Sequence, residues 1–291
     1  MADTKIEWAD KVWNVVSGCT KASAGCAQCY AARMAKRMWD KREFSDVQFH
    51  PERLDTPRHW KKPARIFVNS MGDLFHEKVP LDVISQIWYV MQATPQHTYL
   101  ILTKRPDRMW GMVTTLTTFI YNQPLPNVWL GITAENQLTA DARIPHLLRT
   151  PAAVRFLSCE PLIGPVDLTN AFNTLPKLDW VICGAETGPG ARPMHPAWPR
   201  LLRQQCTSAD VPFFFKSWGE WAPAGDMYDT VHCQLVNSRT GSTSPVMGGW
   251  GKWTDAAEWE CVRRFGKKAT GRLLDGHTHD AFPPSRANAD N

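Results

Sequence analysis

The sequence predicts an α/β fold: a partial or full parallel β/α (TIM-like) barrel of about six to seven βα units, followed by a small C-terminal extension. Three observations carry this. Short apolar runs rich in β-branched and aromatic residues recur as far as Ser217, and each ends abruptly in polar residues. Those polar ends, marked by Ser70, Lys104, Glu135, Glu160, Glu186 and Lys216, lie 25 to 34 residues apart, about the length of one βα unit. The stretches between them carry apolar residues at helical spacing. Near-continuous apolar strands alternating with helices argue a parallel sheet covered on both faces. No glycine-rich dinucleotide fingerprint follows the first strand, which disfavours an open doubly wound sheet.

Taken in order, residues 12–16 read as the first strand, and residues 27–40, rich in Ala, Met, Arg and Lys, read as a helix. Strands follow at 65–68, 98–102, 128–132, 154–157, 180–183 and 212–215. Helices are expected at 81–91, from Pro106 onward, at 140–148 and at 199–206. The barrel is expected to occupy residues 1–222. The Pro/Gly-rich stretch at 223–226 marks the boundary to a Trp-rich extension, 223–291, a possible substrate-binding element. Residues 237–251, rich in Gly, Ser and Thr, suggest hairpins or an ordered loop, and residues 283–291 a frayed end.

Composition narrows the class. With 43% hydrophobic and 21% charged residues over 291 positions, a disordered chain, a collagen-like fibre and a miniature disulfide scaffold are excluded. The opening residues lack an apolar leader core, and no run approaches a membrane-spanning length, so neither export nor membrane insertion is expected. A cytoplasmic setting follows as the expectation. There, the eight cysteines would be reduced thiols, metal ligands or catalytic groups rather than disulfides.

Cys19, Cys26 and Cys29 form the one cysteine cluster, a C-x6-C-x2-C loop with Gly18, Ser23 and Gly25 giving it turns. It sits between the first strand and the first helix, at the end of a barrel where function resides. Three soft thiolates could hold zinc or an iron–sulfur cluster, or remain ordinary thiols. A closed zinc site would want a fourth ligand, and the next candidate, His50, stands well beyond the usual short spacing.

A three-cysteine loop ending Cys-x2-Cys-aromatic directly after the first strand resembles the radical S-adenosylmethionine superfamily. Ile6-Glu7-Trp8, Trp13-Asn14, Gly18-Cys19-Thr20, Leu102-Thr103-Lys104-Arg105-Pro106, Ser158-Cys159-Glu160-Pro161 and the run from Phe214 to Trp221 more narrowly resemble the phage and prophage three-Cys-motif family. Gly188-Pro189-Gly190-Ala191-Arg192-Pro193-Met194 and the run from Gly266 to Gly276 extend that resemblance over nearly the whole chain. One departure is the first gap, six residues where the superfamily usually has three.

The resemblance implies that Cys19, Cys26 and Cys29 ligate a [4Fe-4S] cluster whose open iron chelates S-adenosyl-L-methionine, and that an external electron donor reduces it. Reductive cleavage would then give a 5′-deoxyadenosyl radical. Tyr30 matches the aromatic position beside the adenine. Ser70 and Asp73, ending the second strand, stand where the superfamily binds the methionyl ammonium. By position, Glu135 or Asn136 could hold ribose hydroxyls, with a helix N-cap as the alternative for either. Glu160 and Glu186 follow buried strands and must be paired, with Lys104, Arg105 and Lys216 as available partners. Cys159, beside Glu160, could donate hydrogen to a substrate radical or simply fill the core. Cys159, Glu160 and Lys216 are the catalytic candidates, and Glu186 joins the cofactor-binding ones.

The net charge of +5 is unevenly spread. Residues 31–65 alone carry ten Lys/Arg against five acids, among them Arg37, Lys41, Arg42, Lys61 and Lys62. In the tail, Arg263, Arg264, Lys267 and Lys268 follow Trp250, Trp253 and Trp259. Basic clusters beside aromatic residues suit phosphates and unpaired bases, whereas the plain alternative is a solvated face over a small core. The expected function is radical rearrangement or cleavage of a modified base side chain in phage DNA, by an isomerase or lyase. The alternatives are radical chemistry on a peptide or small metabolite, and a cluster- or zinc-stabilised DNA-binding module without turnover.

Overall fold

The computed structural model describes residues 4–225, 232–246 and 258–284. Strand β1 (Lys11–Trp13) is followed by β2 (Val16–Ser17), the cysteine loop, α1 (Tyr30–Met38) and β3 (Gln48–Phe49). Regular alternation then sets in: β4 (Arg65–Val68), α2 (Leu81–Gln92), β5 (Thr98–Thr103), α3 (Pro106–Leu116), β6 (Val128–Thr133), α4 (Gln137–Arg149), β7 (Val154–Cys159), the short α5 (Thr169–Phe172), β8 (Trp180–Gly184), α6 (Ala197–Ser208) and β9 (Phe213–Ser217). The seven strands β1, β4, β5, β6, β7, β8 and β9 pair in that order, all parallel, and curl into a half-barrel.

Two boundaries differ from the sequence reading for local reasons. The first strand breaks at Asn14, whose side-chain oxygen accepts from the Met71 N–H at 3.0 Å and the Ser70 hydroxyl at 3.2 Å. Beyond the break, β2 pairs with β3 rather than with the main sheet. Helix α4 begins earlier than its apolar pattern suggested, because Asn136 and Thr139 form a reciprocal capping box.

Strand alternation divides the core into two layers. Outward residues such as Ile66, Tyr99, Leu130, Leu157 and Val181 pack under Ile84 and Ile87 of α2, Met109 of α3, Leu147 of α4 and Leu202 of α6. Inward residues Phe67, Leu100, Trp129, Phe156, Trp180, Ile182 and Phe214 fill the concave side with Trp8, Ala9 and, partly, Phe282. The same parity carries Ser158 and Glu160 on the β7 side, Gly184 on β8 and Lys216 on β9 to the inner face at the C-terminal end. A Cβ at Gly184 would stand 2.6 Å from Glu160 Oε1 and 3.3 Å from Lys216 Cβ, so only glycine leaves room for that pair.

A second sheet, antiparallel, comprises β10 (Trp221–Pro223), β11 (Cys233–Asn237), β12 (Thr243–Pro245) and β13 (Trp259–Arg264) in the order β10-β13-β11-β12. Ala224, Cys233, Leu235, Val246 and Cys261 form its small core, with Trp259 packed against it. Trp250 and Trp253 lie outside the described residues. After α7 (Lys267–Thr270) the chain returns to the barrel. The Phe215 N–H donates to the His279 carbonyl at 2.9 Å, and Trp180 Nε1 donates to the Ala281 carbonyl at 2.8 Å, so this return stretch covers the β9 edge. The boundary expected between 222 and 223 falls within β10. Among the described residues no helix is long and apolar enough to cross a membrane.

Candidate functional site

The cysteine loop lies at the C-terminal mouth of the half-barrel, and the polar residues ending β4, β5, β6 and β8 hold it there. Arg105, 7% exposed, is the first clasp. It donates to Cys19 Sγ (3.5 Å), to the Thr20 carbonyl (3.2 Å) and to Thr20 Oγ1 (2.8 Å), and it is itself anchored on Asp73 (3.1 Å) and Glu77 (2.8 Å). Burial works against the Arg105 charge, yet Asp73 and Glu77 outweigh it and raise its pKa.

Glu135, 1% exposed, is the second clasp. Its carboxylate accepts from Ser23 Oγ of the loop at 2.6 Å and pairs with Lys104 (3.4 Å) and Arg143 (3.3 Å). Burial would raise its pKa, but Lys104, Ser23 and Arg143 together lower it. Gly25 packs against this carboxylate so closely that a Cβ would sit 2.5 Å from Glu135 Cγ. The third clasp is Glu186 with Arg192, a bidentate pair at 2.7 and 2.9 Å whose guanidinium also donates to the Ala24 carbonyl at 3.0 Å.

These contacts revise several expectations. Asp73 accepts from Phe75 N, Thr103 Oγ1, Lys104 N and Arg105 Nη1, so its carboxylate is engaged in holding the ends of β4 and β5 and Arg105. Glu135 meets three protein partners, and Asn136 forms the capping box of α4, the N-cap role that is the alternative for either residue. Glu186 pairs with Arg192, not with a lysine across the mouth. Cys159 is fully buried on the outward layer with Cys183 and Cys206, where burial pushes its thiol well above the ordinary range. It lies in the helix-facing layer, the core placement that is one of the two readings of this residue.

Glu160 and Lys216 do meet, at 2.9 Å, on the inner face, and Ser158 Oγ donates to the other Glu160 oxygen at 3.3 Å. Burial disfavours the Lys216 ammonium, but Glu160 outweighs it and raises the lysine pKa. Tyr30, 43% exposed as a residue, turns its hydroxyl inward and donates to the Ser70 carbonyl at 2.6 Å, while the Ser70 hydroxyl is turned to Asn14.

All three cysteines are free and partly exposed. Burial, helped by Asp73, pushes the Cys19 thiol up to about 11 against the pull of Arg105, so metal binding there would release a proton. Among the described residues, no three His, Cys, Asp or Glu side chains converge tightly enough to hold a single ion. Three thiol donors on one clasped loop, two of them already receiving N–H···S bonds, Cys19 from Arg105 and Cys26 from the Ala22 N–H, fit the donor set of an iron–sulfur cluster.

The basic residues separate into two ends of the barrel. Lys61 and Lys62 precede β4 and lie at the N-terminal end, opposite the mouth. Arg42 is engaged locally: it donates to Ser17 Oγ and O and to the Asp46 carbonyl, and it covers the Trp39 ring. Arg37 and Lys41 are exposed near the mouth, as are Arg264, Lys267 and Lys268, while Arg263 is half-buried over Phe265.

Arg143 and Glu77 carry no sign in the sequence, and Ser23 and Arg192 stand there only as a turn residue and as part of a motif, with no partner assigned. For Arg192 the signal lies in the turn-forming Gly188-Pro189-Gly190 that brings it back onto Glu186.

The family described as "Protein of unknown function (DUF5131)" matches residues 3–283. The chain belongs to that family. No curated protein matches this DUF5131 chain. Among solved structures it is similar to a cysteine-to-serine mutant of spore photoproduct lyase, with 12% identity and a TM-score of 0.47, over 91% of this chain and 71% of that one. Spore photoproduct lyase complexed with dinucleoside spore photoproduct gives 10% identity and a TM-score of 0.42 over the same shares. At such values the likeness assigns no chemistry to the DUF5131 chain.

Proposed function

We propose that this chain is a radical S-adenosyl-L-methionine enzyme that carries a [4Fe-4S] cluster on Cys19, Cys26 and Cys29 and acts on DNA. The observation that carries the reading is the convergence of three independent buried charge clasps on one three-thiol loop at the mouth of a half-barrel. Buried charge is costly unless its partners are fully arranged, and here the arrangement fixes the backbone between the first and second cysteines. When bound, the cluster and S-adenosyl-L-methionine would supply a 5′-deoxyadenosyl radical. An external electron donor is part of this reading.

The chain's own residues do the rest. Arg105 would neutralise charge at the Cys19 sulfur. Glu160 and Lys216, on the concave side and on the strands either side of the one that carries Glu186, are the catalytic candidates: the carboxylate can accept and the ammonium donate a proton or hydrogen bond at the substrate. Tyr30 flanks the entrance. Exposed cations around the mouth favour a polyanion, and a base or its side chain in DNA is the substrate class proposed, by rearrangement or cleavage.

Anaerobic reconstitution with iron and sulfide, followed by reduction in the presence of S-adenosyl-L-methionine, tests this. The expected result is 5′-deoxyadenosine, formed faster when DNA is added. Absence of 5′-deoxyadenosine from a fully loaded protein overturns the enzyme reading, and retained DNA binding in that case would indicate a binding module. Turnover on a peptide or small metabolite without DNA would overturn the substrate class.

A further inference from the structure

Two basic clusters far apart in sequence meet at one loop. Arg33 of α1 donates to the Thr187 carbonyl at 2.6 Å and to the Pro189 carbonyl at 3.4 Å. From the other side, Arg264 of β13 donates to the intervening Gly188 carbonyl at 3.5 Å. This 187–190 loop follows Glu186 at the mouth, and its Gly188 N–H is fixed by Glu220 at 2.7 Å. Glu220 in turn anchors the start of α7, since its carbonyl accepts from the Gly266 N–H at 3.1 Å.

The result is a rim on which cations outnumber acids, with Asp40 before Lys41 and the Glu220 carboxylate at Gly188 as the acids within it. On α1, Arg37 stands one turn beyond Arg33, and exposed Lys36 and Lys41 extend the charge. Past the loop, Arg264 leads to exposed Lys267 and Lys268. Helix α1 contains no acid, and it presents Tyr30 (43% exposed), Met34 (41%) and Met38 (68%) at successive i, i+4 positions beside these cations. On this nine-residue helix, starting directly after Cys29, Met34 and Met38 join none of the apolar clusters formed among the described residues, while Tyr30 keeps its hydroxyl on the Ser70 carbonyl and leaves part of its side chain exposed.

We propose that single-stranded DNA lies across this rim, its phosphates on Arg37, Lys41, Arg264, Lys267 and Lys268, and its bases against Tyr30, Met34 and Met38. Cations flanking an apolar or aromatic row are what an unpaired strand requires: backbone charge is met on one side and exposed base faces on the other. A duplex hides those faces, and an acidic protein would leave the spacing of the apolar row unused. The inference rests on the DNA reading above and names the surface that delivers the strand to the mouth.

The test uses the full chain and a 5′-labelled single-stranded oligonucleotide, with fluorescence anisotropy read across a salt series. The double variants Arg37→Ala/Lys41→Ala and Lys267→Ala/Lys268→Ala are compared with Lys61→Ala/Lys62→Ala, which removes equal charge from the opposite end. Each rim pair should weaken binding about tenfold and flatten the log–log salt slope by roughly 1.4, the value for two phosphate contacts on a single strand. The opposite-end pair should leave both unchanged. Met34→Ser/Met38→Ser should weaken binding without altering the slope, and duplex of the same sequence should bind less tightly. Equal losses from rim and opposite-end pairs, or none from the rim pairs, would overturn the proposal. Because binding is read without reduction or S-adenosyl-L-methionine, its failure is separable from failure to form 5′-deoxyadenosine.

Discussion

Arg105 concentrates the chemistry of the loop in one side chain. A planar guanidinium can serve two carboxylates, a carbonyl, a hydroxyl and a sulfur at once, which an ammonium cannot. Arg105→Ala leaves Asp73 buried without its cation and should cost about 3 to 5 kcal/mol, read as a lower thermal midpoint. Arg105→Lys should recover part of that loss but retain less iron after reconstitution, because the Thr20 and Cys19 contacts are not rebuilt. An unchanged iron content in Arg105→Lys would remove the arginine from the site. Glu160→Gln separates the other sector: it should keep iron and fold, since the pair it breaks is partly exposed, while abolishing turnover of the DNA substrate. At this scale the sequence showed which carboxylates end the strands but not whom they meet. Glu186 and Arg192 are close in the chain, whereas Glu135 takes its partners from the cysteine loop, β5 and α4 together, a choice made only by the curvature of the sheet.

The loop between Cys19 and Cys26 is long for its resemblance, and the structure gives that length a use. Three of the intervening residues, Thr20, Ser23 and Ala24, each meet a different clasp, and Gly25 lets the backbone close on Glu135. Gly25→Ala should therefore force the loop away from Glu135, at a cost of about 1 to 3 kcal/mol, and lower iron retention in parallel. A variant with normal stability and full iron would show that the close approach is unimportant. The helices and strands themselves were legible because apolar periodicity reports burial, and burial is what the barrel imposes on both faces of each strand. The break at Asn14 was not legible, since it depends on side-chain acceptance from a segment more than fifty residues away.

Across the whole molecule, the half-barrel is completed from both ends of the chain: Trp8 and Phe282 join the concave core, and the return stretch after α7 covers the β9 edge. Burial holds His50, His76, His97, His195 and His279 below the ordinary histidine value, His195 most of all, at about 4. Between that value and the unfolded histidine pKa near 6.5, the unfolded chain binds a proton that the folded one refuses, so stability must fall as pH drops through this window. For His195 the loss amounts to at most about 3 kcal/mol. Denaturant unfolding from pH 7 to pH 5 should show the decline, and His195→Gln should flatten it; a flat profile for the unaltered chain would contradict the burial argument. Anaerobic electron paramagnetic resonance of the reduced, reconstituted protein, with and without S-adenosyl-L-methionine, tests whether a cluster sits on the clasped loop. A cluster held by these thiols gives a [4Fe-4S] signal that changes when S-adenosyl-L-methionine is added and is lost in Cys26→Ala. A protein that takes up zinc but no iron and sulfide, or a cluster signal that survives Cys26→Ala, would contradict this placement.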